Sequence, residues 1–375
     1  MAGIYIHIPF CKQACNYCNF HFSTSLRKKE DFLLALQKEI VLQKDYLQGE
    51  KIETVYFGGG TPSILEVYEI QAIFNKINSV HEVVSDAEIT LEANPDDLSE
   101  QKLKAFRQTP INRFSIGIQS FFEEDLKFMH RAHNAEEADR SIKTAQDVGF
   151  QNLTIDLIYG TPTMSNERWL ENLQKATAFD IPHISSYCLT VEPKTLLEKQ
   201  VKKGISKPVN EEKAAEQLEI LMQNLVEKGY EHYEISNFAK PNCHAKHNSN
   251  YWLGKKYLGL GPSAHAYDGV SRQYNIANNS LYISSLQQNM LNFEKEILSP
   301  EQRYNEYILT TLRTKWGAHA SEIQKIGNHF WMYFQAKSQI FIAKKQILEE
   351  NNIFTLSKEG KMLADYIAVE LFFEG

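Results

Sequence analysis

The chain has 375 residues, 43% hydrophobic and 23% charged, with a formal net charge of −7. That suffices for two or three domains with a sizeable core, and the acidic balance argues against the basic surface of a general nucleic-acid binder. No apolar run is long enough to span a bilayer, and the opening MAGIYIHIPFC lacks the basic start and apolar stretch of a signal peptide; a cytoplasmic protein with at most peripheral membrane contact is expected.

A strand-like segment, Gly3 to Ile8, leads straight into a cluster of cysteines. Phe32, Leu36 and Ile40 then recur at helical spacing. A short apolar strand, Thr54 to Phe57, ends in Gly58, Gly59 and Gly60. The alternation repeats. Strands are predicted at Ala87–Glu92, Arg113–Ile118, Leu153–Ile158 and His183–Leu189, with helices near Val67–Ile77, Glu100–Phe106, Glu136–Val148 and Glu167–Thr177. About six β/α units imply an α/β fold with a parallel sheet that curls into a full or partial (β/α)6 barrel, its active site at the C-terminal strand ends.

The rhythm changes after residue 192. A helix over Glu211–Lys228 precedes an aromatic stretch, Tyr230–Tyr274, that reads as irregular. From residue 299, helical patterns at Glu301–Leu312, Ala320–Ile326 and Tyr333–Glu350, a strand at Ile353–Leu356 and a last helix near Gly360–Leu371 suit a winged-helix-like module. Three divisions are expected: a core over 1–192, an extension over 193–298 and a terminal module over 299–375. Residues 300–375 carry nine Lys/Arg and nine Asp/Glu, too neutral for a phosphate-binding face, so the module reads as a lid or packing domain.

Three of the five cysteines, Cys11, Cys15 and Cys18, fall within eight residues in a C-x3-C-x2-C spacing. A disulfide scaffold would be shorter and richer in cysteine. Three thiolates on one tight loop can hold three irons of a [4Fe–4S] cubane and leave the fourth with an open position. The amine and carboxylate of S-adenosylmethionine (SAM) can chelate that iron, and an electron passed to the sulfonium breaks an S–C bond. The alternative is a Cys3His zinc site completed by His7 or His21. No Gly-Lys-Ser/Thr follows the glycine run, which argues against a phosphate loop.

The cysteine loop after a first strand, followed one β/α unit later by Gly58-Gly-Gly-Thr-Pro62, resembles the radical SAM superfamily. Within it the chain is most similar to oxygen-independent coproporphyrinogen III oxidases and their relatives, the HemW-type haem chaperones. Tyr5–Cys11, Leu91–Pro95, Ile116–Ser120, Arg131–His133, Asp156–Gly160 and Lys358–Gly360 carry the likeness. The resemblance implies that Tyr5 and Tyr17 flank SAM, with Tyr17 against the adenine. It further implies that Gly59, Gly60, Thr61 and Glu92 meet the methionyl amine, that Gln119 and Asp156 bond the ribose, and that Arg131 pairs with the carboxylate. Bidentate guanidinium–carboxylate pairing and polar groups on ribose hydroxyls fit those assignments.

Three features favour the chaperone branch over an oxidase of porphyrin biosynthesis. Phe20 stands where the oxidases have a fourth cysteine, the chain starts only ten residues before Cys11, and His247-Asn-Ser-Asn-Tyr251-Trp252 matches the H-N-x-x-Y-W signature. That signature implies haem on His247, with Tyr251 and Trp252 packed on the porphyrin; a hydrogen-bonded core histidine is the plain alternative. The implied partners are haem or a porphyrin, a haem-acceptor protein, an electron donor such as flavodoxin or ferredoxin, and a second copy if the chain is oligomeric.

Overall fold

Alternating residue types decide which way the first six strands face. A computed structural model, which describes residues 1–374, lays β1 (Ala2–Ile8), β2 (Ile52–Gly59), β3 (Val83–Ala93), β4 (Arg113–Gln119), β5 (Leu153–Tyr159) and β6 (His183–Cys188) side by side and parallel. Ile4, Ile6 and Ile8 of β1, Val55 and Phe57 of β2, and Leu91, Phe114, Ile155 and Ile184 beyond them lie in the main core. The helices α1 (Lys29–Leu42), α2 (Val67–Asn78), α3 (Glu100–Phe106), α4 (Glu123–Phe128), α5 (Ala135–Asp147) and α6 (Asn166–Ala178) connect the strands. The positions between those apolar residues face the lumen. Thr54 and Tyr56, Arg113 and Ser115, and Thr154 and Asp156 are among them. Parallel strands usually read as unbroken apolar runs because both faces are dry. These alternate because the lumen is polar.

The sheet does not end at β6. After α7 (Leu196–Lys202) and α8 (Glu211–Glu227), the hairpin β7 (Glu231–Glu234) and β8 (Asn237–Ala239) adds antiparallel through β8 to β6. Beyond α9 (Lys246–Trp252), β9 (Tyr257–Leu260) joins the other edge parallel to β1. The antiparallel β10 (His265–Tyr267), β11 (Ser271–Asn275) and β12 (Phe293–Ile297) extend it to twelve strands, with α10 (Asn279–Gln287) before β12. The expectation of an irregular 230–274 is thus corrected. Its strands are three to five residues long, too short for a period of two to show.

The tail runs α11 (Pro300–Leu312), β13 (Ala318–His319), α12 (Ala320–Ile326), α13 (Asn328–Ala343), β14 (Ile347–Glu350), β15 (Ile353–Leu356), α14 (Lys358–Lys361) and α15 (Ala364–Glu370). Its three strands form a separate antiparallel sheet in the order β13–β15–β14. Tyr304, Ile308, Phe330, Phe334 and Phe354 pack into a core of their own. Two expectations are corrected here. The helix expected through Glu350 stops at Ala343, where Lys345 takes φ 56° and turns the chain into β14. The last helix is two short ones. Among the described residues no helix is long and apolar enough to cross a membrane.

Candidate cofactor site

β1 delivers the cysteine loop to the C-terminal strand ends. The loop is pinched at its base, where Cys11 N donates to Ser23 O (3.1 Å) and Ser23 N to Pro9 O (2.9 Å). It is held on its far side by the end of α4 and the residues that follow it. Asn16 Nδ2 donates to Phe128 O (2.6 Å), and Gln13 Nε2 to His130 O (2.8 Å). Burial pushes the Cys18 thiol up to about 11 and raises that of Cys11, so both need a metal or cationic partner to be held as thiolates. Of the histidines of the zinc alternative, His7 has both ring nitrogens taken, its Nδ1 by Tyr5 Oη at 3.2 Å, and His21 has one. His7 Nε2 meets His21 O at 2.8 Å, and His21 Nε2 meets Asn279 Oδ1 at 2.7 Å. Among the described residues no three His, Cys, Asp or Glu side chains converge on a single-ion site.

The three thiols open onto a cavity of about 360 Å³. Gly59, Gly60 and Thr61 form its rim at the end of β2. Glycine is required there twice over. A Cβ on Gly60 would stand 2.6 Å from Phe10 O, and one on Gly59, at φ 105°, 2.6 Å from the His7 ring. Tyr17, Glu92, Gln119, Arg131 and Asp156 complete the set that the lumen brings together. Gln119 adopts φ 65° where the β4–β5 register slips, the kind of backbone strain found at functional sites. Arg131 spans the floor. Its Nη1 lies 3.3 Å from Cys15 Sγ and its Nη2 donates to Asn94 Oδ1 (2.8 Å) and Gly117 O (2.9 Å), while its buried Nε has no partner.

Two half-buried carboxyls share this lumen. Glu92 accepts from Tyr56 Oη (2.8 Å) and Gly59 N (3.2 Å), and Ser115 Oγ stands 3.3 Å from Asp156 Oδ1. Burial, helped for Glu92 by the charge of Asp156, pushes Glu92 up to about 7; burial likewise pushes Asp156 up to about 6. A cationic ligand would favour the charged form of both. The thiols, the glycine cradle, the unpartnered guanidinium nitrogen and two carboxyls short of a cation suit a cluster with a zwitterionic cofactor.

Tyr5 is not on the cavity wall. It stacks behind Tyr56, which stands there in its place. Tyr56, Ser115 and Ser185 reach the cavity without having been singled out from the sequence, and so do Asn94 and Asn248, which lie within the sequence motifs but had no role assigned. Only the period-two alternation of their strands could have flagged Tyr56, Ser115 and Ser185. The haem residues are not gathered as the signature implied. His247 is 2% exposed, with Nδ1 2.8 Å from Thr54 Oγ1 and Nε2 2.9 Å from Tyr251 Oη. Both ring nitrogens are taken, so His247 has none free for iron as folded. Its backbone N–H and that of Lys246 donate to Glu88 (3.0 Å each), locking α9 across the lumen. Tyr251 and Trp252 face a second cavity instead.

The radical SAM superfamily is matched over residues 5–176. The chain is 32% identical over 371 residues to the "Heme chaperone HemW" of Bacillus subtilis, which covers 98% of each chain. It is 37% identical over 268 residues to the Escherichia coli protein of that name, covering 70% of this chain and 69% of the other. It is 30% identical to "Radical S-adenosyl methionine domain-containing protein 1, mitochondrial" of Bos taurus, covering 100% and 84%. The fold is that of coproporphyrinogen III oxidase (HemN) from Escherichia coli, with a TM-score of 0.86 at 20% identity over 99% of this chain and 90% of that one. Fold and motif thus define a radical SAM protein. Within that superfamily, the chain belongs to the family of the HemW proteins.

Proposed function

We propose that this protein binds haem and passes it to an acceptor protein, and that it carries a [4Fe–4S] cluster on Cys11, Cys15 and Cys18 with SAM beside it. The observation that carries the cofactor reading is the convergence of three thiols, a glycine cradle and two carboxyls on one cavity. Such a cluster supplies SAM with an electron. The protein's own residues position the ligand. Gly59, Gly60, Thr61 and Glu92 receive the methionyl amine, Arg131 the carboxylate, and Gln119 and Asp156 the ribose. Tyr17 covers the adenine, and Tyr5 acts by backing Tyr56. Haem binding is supported by similarity along the whole chain to proteins named as haem chaperones. A cytoplasmic location, an electron donor of the flavodoxin or ferredoxin kind, and division near residues 192 and 298 belong to the same proposal.

Anaerobic reconstitution is expected to load about four irons and four sulfides per chain, and Cys15→Ala to abolish that loading. Retained loading would refute the ligand assignment. Incubation of the loaded protein with coproporphyrinogen III, SAM and a reductant is expected to give no protoporphyrinogen IX by chromatography. Product over many turnovers would make the protein an oxidase.

A further inference from the structure

A haem site needs flat aromatic walls, cations for two propionates and a free ligand for the iron. The second cavity, on the far side of α9 from the thiols, has all three. Its volume of about 670 Å³ exceeds that of the SAM cavity and falls within the roughly 300–1,000 Å³ of cofactor sites. Trp252 and Tyr251 of α9, Tyr257, Tyr267 and, from the C-terminal unit, Trp316 wall it. The Arg313 guanidinium sits 5.7 Å over the Trp252 ring and holds that ring in place.

The cations lie on the same wall. Arg272 of β11 bonds Glu306 at 2.8 Å and stands 6.0 Å over Tyr267, yet its buried Nε has no partner. Arg303 of α11 also lines the cavity and has no carboxylate partner among the described residues. Glu306 and Glu322 reach the cavity too, each already paired with a cation, Arg272 and Lys325. A dianionic ligand would therefore meet one free guanidinium and one half-used one.

His319 is the histidine on this wall. Its backbone N–H donates to Tyr307 Oη at 2.8 Å and opens α12, while its half-buried ring makes no hydrogen bond among the described residues. That is the reverse of His247. Neutral imidazole is a standard axial ligand of haem iron. We infer that haem sits in the cavity between α9 and the C-terminal unit, with His319 on the iron and Arg272 and Arg303 on the propionates. This rests on the haem-binding reading above. It explains why the signature helix shows Tyr251 and Trp252, but not His247, to the porphyrin.

The test titrates ferric haem into the full chain and follows the Soret band, with metal-free protoporphyrin IX as a second probe read by quenching of Trp252 and Trp316 fluorescence. The wild-type chain is expected to bind one haem. His319→Ala should lose the ligated Soret position and weaken haem at least tenfold, yet bind protoporphyrin IX as before. The pair Arg272→Gln and Arg303→Gln should weaken both probes about tenfold. Cluster loading, which belongs to the other cavity, should be the same in every variant and reports that each is folded. An unaltered spectrum and affinity in His319→Ala would remove the ligand, and unaltered binding of both probes in the arginine variant would remove the seat. Failure of the wild-type chain to bind haem would instead overturn the haem-binding reading itself.

Discussion

Glu92 shows how a half-buried side chain can be costly to the fold and useful to the site. Its carboxyl titrates at about 7 in the folded chain against an ordinary 4.5, because burial and then the charge of Asp156 disfavour ionisation. Between those two values the folded chain holds a proton that the unfolded chain has lost. Stability therefore falls as pH rises through that window, and the loss is complete above about 7. At 1.36 kcal/mol per pH unit the cost is about 3 kcal/mol. Glu92→Gln keeps an oxygen for Tyr56 and Gly59 but cannot ionise. Denaturant unfolding of the cofactor-free protein at pH 8 is expected to show the variant more stable by about 2 kcal/mol, with the difference gone near pH 4.5. Calorimetric titration should show SAM bound more weakly by the variant. Equal stability at pH 8 would mean that Glu92 is solvated in the folded chain. The residues named for this cavity were legible because they sit in short motifs at strand ends. Tyr56 and Ser185 were not, since the period of two that puts them on one face of their strands does not say whether that face meets the lumen or solvent.

At the scale of elements, the six β/α units could be read because each strand and helix is long enough to display its period. The far edge of the sheet could not, and its anchor is a residue that the periodicity of α1 hides. Glu39 lies on the buried face of α1, 1% exposed. It accepts from Tyr282 Oη (2.6 Å), Asn275 Nδ2 (2.6 Å) and Gly261 N (2.7 Å). One carboxyl thus ties α10, β11 and the turn after β9 to the barrel. Burial raises its pKa and the three donors pull it back. Truncation would strand Tyr282 Oη and Gly261 N and leave Asn275 Nδ2 only its bond to Gly261 O (3.0 Å), each stranded donor costing roughly 1–3 kcal/mol. Glu39→Ala is expected to lose about 3–5 kcal/mol in denaturant unfolding, and Glu39→Gln less than half of that. A loss below about 1 kcal/mol in Glu39→Ala would mean that water replaces the carboxyl and that the edge is held by apolar packing alone.

The main sheet and the C-terminal unit pack around separate apolar cores, and the seam between them is mostly polar. Contacts across it include Lys315 N to Tyr233 O (2.9 Å), Lys361 Nζ to His232 O (3.2 Å), the ion pairs Arg272–Glu306 (2.8 Å) and Lys315–Glu231, the Tyr233–Trp316 ring pair (6.1 Å), Ile235 against the C-terminal core and Met362 against the main one. Exposed or half-exposed ion pairs contribute about 0–1 kcal/mol each, far less than a shared apolar core would. The proposed haem seat lies in this seam, so the porphyrin would add apolar contact to the little that the chain itself makes there. Scanning calorimetry of the haem-free protein is therefore expected to resolve two endotherms, the smaller from the C-terminal unit. Haem at a hundredfold excess over its dissociation constant adds about 2.7 kcal/mol to the joined state. For a unit of this size that moves the smaller endotherm up by roughly 10 °C or more, toward the larger. SAM with the reconstituted cluster should move only the larger one, because that cavity is enclosed by the main core. If haem binds one to one and raises the larger endotherm alone, the porphyrin lies inside the barrel, and α9 must open to admit it.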